Sequence, residues 1–310
     1  MNNILSTIFV LLVLTACEAQ VEPNTQPSAE VQQPENFGDY WYAGEAEIAK
    51  YNLTQSRYGQ ERRGDAVLIF VTEDFLPEKQ VKKEFGEKEG ISVLKLNKLK
   101  KFVTGIYDYS IMTSVFTPID YRVYPATMKT TFSSQDWCGQ SMGQMNLRSG
   151  KLQYQVRSYF QAEGDKDISL DATYIEEDVW TRIRLEPQML PRGEIDMVPS
   201  QEYLRLHHRE LKPYKAKASL VLQVNDDKAE NREFYIYKIT YPELDRTLEI
   251  ICESEFPFEI LEWSETLSGK EEKEVTTATL STKIRAPYWE YNSNENKALR
   301  DSLGLVFDLK

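Results

Sequence analysis

A thiol and two imidazoles are the side chains in this sequence with the clearest capacity for chemistry. Cys138 lies in the run Asp136-Trp137-Cys138-Gly139-Gln140, and its thiol could act as a nucleophile if His207 or His208 accepted the proton. No papain-type or caspase-type signature surrounds this cysteine. A tight strand crossing beside a buried ring, or a disulfide, is the alternative, and we expect Cys138 to have that structural role.

The two histidines of the chain, His207 and His208, are adjacent in sequence. Adjacent side chains point apart on a helix or a strand, so this pair cannot chelate one ion without a kink in the backbone. Glu202 and Glu210 could assist such a site. We expect an exposed helix end or turn instead, and the sequence predicts no metal site and no cofactor.

Acidic and apolar residues alternate in the segment Phe258-Glu259-Ile260-Leu261-Glu262-Trp263-Ser264-Glu265. A glycosidase needs two carboxyl groups about 5–9 Å apart across a cleft. Residues two positions apart on a strand place their side chains on one face, about 7 Å apart. A hydrolase acting on envelope polymers is therefore kept as an alternative hypothesis.

Aromatic residues make up 12% of the chain, and Tyr40-Trp41-Tyr42 opens the region that we expect to fold. Packing in the core and on the sheet accounts for most such residues. The functional alternative is a concave aromatic interior that holds an apolar or glycan-like ligand.

The N-terminus predicts a lipid anchor. Residues 4–14 are almost wholly apolar, which is the length of a signal-peptide core and too short to span a bilayer. The following Leu14-Thr15-Ala16-Cys17 resembles the lipobox of bacterial lipoproteins, although Met1-Asn2-Asn3 carries no Lys or Arg. We predict a signal peptide over residues 1–16 and lipidation of Cys17.

Residues 17–37 should form the lipidated cysteine and a flexible tether, because the segment is polar, rich in proline and without periodicity. The resemblance to lipoproteins implies a cell-envelope location. Glu18, rather than Asp, follows the cysteine, which favours the outer membrane facing the periplasm.

The formal net charge of −12 excludes most nucleic-acid binders, because an acidic domain repels phosphate backbones. Once Cys17 is lipidated, Cys138 and Cys252 remain. An oxidising envelope permits a disulfide between them, and two free or buried thiols are the other possibility.

Hydrophobic patterning predicts a mainly β fold. Residues 66–72 form a continuous apolar run, and residues 152–160 alternate apolar and polar side chains. Short helices are expected before Pro187, after a Ser200 cap and near residues 294–303. We predict a strongly curved antiparallel sheet or open barrel over residues 38–310, forming one wrap or two similar halves, 38–165 and 205–290.

Four stretches together resemble an uncharacterised lipoprotein family of the Bacteroidetes type, some members of which are named "septum formation inhibitor Maf". They are Tyr40–Ile48, Val71–Pro77, Tyr109–Met112 and Asp136–Gly139. The resemblance covers most of residues 38–305, and the last third is also faintly similar to envelope proteins of the DUF3108 type. The Ser-x-Ser-Pro-Arg-Arg loop of cytosolic Maf pyrophosphatases does not occur in the sequence, so no catalytic residue is implied.

These observations favour a non-enzymatic envelope lipoprotein that binds a hydrophobic or envelope-derived ligand, such as a lipid or a glycan. An interaction module of an envelope complex is the second hypothesis. The sequence leaves the oligomeric state open.

Overall fold

The computed structural model describes residues 33–86, 90–225, 232–269 and 273–305. They belong to one compact unit, Gln32–Lys310. The predicted signal peptide, Cys17 and the tether as far as residue 32 lie outside the described residues. Within the described ranges, no helix combines the length and the apolar character that crossing a membrane requires.

Sixteen strands in the described part of the chain form one sheet. In chain order they are β1 (Ala46–Arg57), β2 (Gln60–Leu76), β3 (Val81–Lys82), β4 (Ile91–Thr104), β5 (Tyr107–Pro118), β6 (Lys129–Asp136), β7 (Gly139–Arg148), β8 (Lys151–Ser158), β9 (Lys166–Asp171), β10 (Tyr174–Ile175), β11 (Gly193–Val198), β12 (Tyr214–Asn225), β13 (Arg232–Tyr241), β14 (Arg246–Glu253), β15 (Ile260–Leu267) and β16 (Glu274–Ala286).

The helices are short: α1 (Phe37–Trp41), α2 (Val179–Leu185), α3 (Gln201–Leu206) and α4 (Lys297–Ser302). The predicted helix before Pro187 is confirmed as α2, which ends at Leu185. The predicted Ser200 cap is also confirmed, because its hydroxyl accepts a hydrogen bond from the Tyr203 amide, 3.3 Å away. Burial, rather than length, must stabilise helices of this size.

The spatial order of the strands follows the chain except that β10–β16 precede β1. β16 pairs antiparallel with β1, which joins two meanders into a single sheet. The neighbouring pairs are antiparallel, apart from the parallel pair β10–β11. The predicted fold class, a mainly β curved antiparallel sheet with a few short helices, is confirmed.

The two edges of this sheet are β9 and β10. Asp171 ends β9 and Tyr174 begins β10, so three residue steps, at most about 11 Å, separate the edges. Side chains also cross the gap, because Tyr154 of β8 packs in one cluster with Ile175 and Val198 of β10 and β11. The sheet therefore curls almost into a barrel and remains open along a seam between β9 and β10–β11.

Residues 176–190 and 200–206, which we call the plug, lie against the inside of this curl. All six residues of α3 are buried, as are six of the seven in α2. A helix buried on every side is enclosed by other elements. The ring of Trp180 in α2 meets that of Trp263 in β15 edge to face, with centroids 5.0 Å apart.

Buried ion pairs join the plug to the sheet. In each pair one charge comes from the plug and the other from a strand: Arg184 with Glu47, Glu176 with Arg246, and Glu202 with Lys100. Removing a charge from water is costly unless a partner compensates it, so these pairs define where the plug can sit.

Candidate functional site

A cavity of about 650 Å³, which we call the seam cavity, lies beside the edge strand β9. Strands β6–β9 and the β8–β9 loop form one wall, while α3 and residues 208–212 form the other. Its volume falls in the range of about 300–1,000 Å³ that is usual for small-molecule sites. The apolar side chains of the lining are Phe132, Met142, Val156, Ala162, Ile168, Leu170, Leu204 and Leu211.

The edge strand β9 gives the cavity its apolar wall. Ile168 and Leu170 are half-buried, whereas Asp167, Ser169 and Asp171 between them are exposed. This alternation turns one face of the strand towards the cavity. On the opposite wall the backbone of His208 is left-handed, with φ of 52°, so the chain turns sharply where α3 ends.

Arg205 of α3 is buried in the lining of the cavity, where it contacts strand β7 and the β8–β9 loop. Its Nε donates to Ser141 Oγ at 2.8 Å, and its Nη1 lies 3.4 Å from Glu163 Oε1. The guanidinium also lies 3.9 Å from the centre of the Phe160 ring. These contacts hold the β8–β9 loop, residues 159–165, against α3.

Glu163 is the second centre of this polar cluster. The Ser158 hydroxyl donates to its Oε2 at 2.6 Å, and Nδ1 of His208 lies 2.9 Å from its Oε1. In a serine–histidine–acid triad the hydroxyl bonds to the imidazole, which removes its proton. Here hydroxyl and imidazole both bind the carboxylate, so the arrangement is suited to positioning the loop rather than to nucleophilic attack.

Charged side chains of both signs line the cavity on the side that we call its mouth, where Lys166, Arg209 and Lys212 are positive and Glu210 is negative. Lys166 and Arg209 line it and take part in none of the ion pairs found among the described residues. Lys212 lies 3.7 Å from both Glu210 and Glu243. The mouth can therefore offer cationic donors to an anionic group held above an apolar interior.

The structure gives the Cys138 thiol no activating base within the described residues. Cys138 is exposed in the β6–β7 turn, and a hydrogen bond with the Asp136 carboxylate raises the pKa of its thiol. His208 is bound to Glu163. His207 packs on the Tyr203 ring at 4.7 Å, and burial lowers the pKa of its imidazole to about 4. A thiolate nucleophile is not supported.

Cys138 and Cys252 are both free thiols in the structure. Cys252 is fully buried in β14, facing Tyr235 of β13, and burial raises the pKa of its thiol to about 12. Six neighbouring strands separate β14 from β6 in the sheet order, and Cys138 follows β6. The disulfide that the sequence allowed is therefore not formed in this structure.

The remaining candidate residues have structural partners. Burial would raise the pKa of Glu202, but Lys100 and Lys98 lower it to about 2. Glu259 pairs with Lys283 at 2.8 Å, and Glu262 accepts from Thr279 at 3.5 Å, so the two carboxylates bind different residues of β16. Among the described residues, no group of three or more His, Cys, Asp or Glu side chains could hold a metal ion.

Sequence reasoning missed the seam cavity, because its walls come from segments far apart in the chain. Ile168 and Leu170 alternate with polar residues in a six-residue strand, which is a weak signal beside the longer strands. Arg205 gave no signal of its own, since an arginine in a short helix is ordinarily exposed.

Comparisons with known protein families, with curated proteins and with solved structures gave no match to this chain. The resemblances to a Bacteroidetes-type lipoprotein family and to DUF3108-type proteins therefore stay predictions. The functional argument rests on the geometry of the cavity and its mouth.

Proposed function

We propose that this protein binds an amphipathic molecule of the cell envelope, with an apolar chain in the seam cavity and an anionic group at its mouth. The observation that carries the proposal is a cavity of about 650 Å³ whose lining combines eight apolar side chains with more positive than negative ones. Binding involves no chemical change of the ligand.

The apolar walls provide the affinity. Each methylene group removed from water contributes roughly 0.8 kcal/mol, so an acyl chain needs only part of its length in the cavity to bind. Lys166, Arg209 and Lys212 then select for a negative group, against a background in which the whole chain carries a net charge of −12.

The N-terminus supplies the cellular setting of the proposal. Lipidation of Cys17 would anchor the protein to the outer membrane, facing the periplasm, where amphipathic envelope molecules are concentrated. The protein would then act as a membrane-anchored binding protein rather than an enzyme.

Displacement of a fluorescent fatty acid tests the proposal. We expect the full chain to bind the probe and Ile168→Asp to lose most of this binding, because a charge would enter an apolar wall. Ser169→Asp is the matched control, since it places the same charge on the same strand at an exposed position outside the cavity lining.

Native mass spectrometry of the protein purified from its own envelope supplies the second measurement. We expect a co-purifying amphipathic molecule that Ile168→Asp fails to retain. Equal probe binding by both β9 variants, or the absence of any bound lipid, would overturn the proposed function.

A further inference from the structure

Large apolar side chains are exposed at the turns of one end of the sheet. We call this set the aromatic rim: Tyr58, Val103, Ile106, Trp137 and Tyr159. Ile106 is 83% exposed, Tyr159 79% and Trp137 69%. The turn between β1 and β2 contributes Tyr58, the one between β4 and β5 contributes Ile106, and the one between β6 and β7 contributes Trp137.

Within the aromatic rim, Tyr58 and Trp137 are linked through Tyr107, whose hydroxyl oxygen lies 3.5 Å from that of Tyr58. The Tyr58 and Tyr109 hydroxyl oxygens are 2.8 Å apart, and the Tyr107 ring lies 6.4 Å from that of Trp137. The Tyr159 ring covers Gly139, where an added Cβ atom would lie 3.0 Å from it. Connected apolar patches of this kind usually mark an interaction site.

The aromatic rim is also continuous with the mouth of the seam cavity. The centroids of the Tyr159 and Phe160 rings are 6.0 Å apart, and the Arg205 guanidinium packs over the Phe160 ring. Ala162 and Glu163 of the same loop line the cavity. A surface that covers the aromatic rim would therefore lie beside the cavity entrance.

We propose that the aromatic rim inserts into the interfacial layer of a lipid bilayer, so that the seam cavity opens at the membrane surface. The inference rests on the proposed function, because it specifies where the amphipathic ligand is exchanged. Trp and Tyr favour the bilayer interface, since each ring has an apolar body and a polar tip.

Charge distinguishes this mode of docking from simple electrostatic attraction. The rim side chains are uncharged, and the chain as a whole is acidic, with a net charge of −12. Anionic lipids would repel such a protein. Insertion should therefore occur on vesicles of zwitterionic phosphatidylcholine and should persist at high salt.

Tryptophan fluorescence tests the insertion directly. Trp41, Trp180 and Trp263 are buried, while Trp137 and Trp289 are exposed. In a full chain carrying Trp289→Phe, Trp137 is the exposed indole that vesicles can reach. We expect phosphatidylcholine vesicles to shift its emission to shorter wavelength, and acyl chains labelled with bromine to quench it. Adding Trp137→Phe should remove both effects.

The matched control restores Trp289 and changes Trp137 to Phe. Trp289 follows β16 at the opposite end of the sheet, so bromine-labelled lipid should leave its emission unchanged. Unchanged Trp137 emission, or equal quenching of the two indoles, would overturn the rim inference, including the case in which the rim binds a protein instead. If the fatty-acid probe still binds, the proposed function stands without the rim.

Discussion

At the scale of single residues, the plug contains a carboxyl group, that of Glu177, whose burial disfavours the charged form. Glu177 is fully buried, its Oε1 accepts a hydrogen bond from the backbone N–H of Gln201 at 2.8 Å, and its Oε2 has no hydrogen-bond partner among the described residues. Burial raises the pKa of this carboxyl to about 7. Glu47 differs, because Arg184 offsets the effect of burial and keeps the pKa of that carboxyl low.

Glu177 should make the protein less stable as the pH rises. Folded Glu177 binds its proton up to about pH 7, whereas the unfolded chain releases it near 4.5. The free energy of unfolding therefore falls across this window as the pH increases. We expect Glu177→Gln to gain up to about 3 kcal/mol over the unmodified chain at pH 8 and little at pH 4.

Urea unfolding at several pH values measures this difference. Glu61→Gln serves as the control, since Glu61 is exposed in β2 and its replacement should leave the pH dependence as it was. A stability gain for Glu177→Gln that is the same at pH 4 and pH 8 would show that the pKa of Glu177 is the same in the folded and unfolded chains, contrary to the prediction.

At the scale of elements, strand pairing depends on close approaches that only glycine permits. Gly64 of β2 faces Phe102 of β4, and a Cβ atom at position 64 would lie 2.2 Å from the Lys101 carbonyl oxygen. The obstacle is backbone, which cannot rotate away as a side chain can. The pair β2–β4 lies near the middle of the sheet.

We expect Gly64→Ala to lower the free energy of unfolding by about 1–3 kcal/mol, the usual cost of overpacking. Gly38→Ala is the control, because no atom of the described residues lies within 4 Å of a Cβ atom there and alanine favours the helix α1. Denaturant unfolding of both variants checks this, and equal stabilities would contradict the close approach of β2 and β4.

Elements with a strong local signal could be predicted from the sequence. The alternation over residues 152–160 matches β8, and the Ser200 cap begins α3. β9 and the plug's position could not be predicted in this way. β9 is short and polar on one face, and the plug is located by ion pairs such as Arg184–Glu47, whose members are 137 positions apart.

The candidate site could not be predicted from the sequence either, because its residues are far apart in the chain. Arg205, Ser141 and Glu163 come from a helix, a strand and a loop that only the curl of the sheet brings together. Residue types that looked reactive in sequence, Cys138 and His207, lack the neighbours that would activate them. A site built from segments that are distant in sequence leaves no local sequence pattern from which it could be predicted.

At the scale of the whole molecule, one core lies between the sheet and the plug, so Cys252 should report on unfolding of the entire unit. In a chain carrying Cys17→Ser, we expect maleimide to label Cys138 in the native state and to reach Cys252 only when urea unfolds the sheet.

The control for that experiment is Cys138→Ser, which should leave the native chain with no labelled thiol. Coincidence of Cys252 labelling with the loss of β-sheet circular dichroism would show that the sheet unfolds as one unit. Labelling of Cys252 well before that loss would mean that the β13–β15 region opens independently.

The two edge strands, β9 and β10, are adjacent in the chain, so the chain could be opened between them without cutting a strand. If the chain began at residue 173 and ended at residue 172, β10–β16 and then β1–β9 would follow one another in space as they do in sequence. Leu303 already packs in one cluster with Ala46, Ile48 and Val71, so the chain that follows α4 lies beside the start of β1. This circular permutant would keep the strand pairs and would break the covalent link between β9 and β10, so that side-chain contacts such as those of Tyr154 with Ile175 and Val198 would hold the two sides of the seam together.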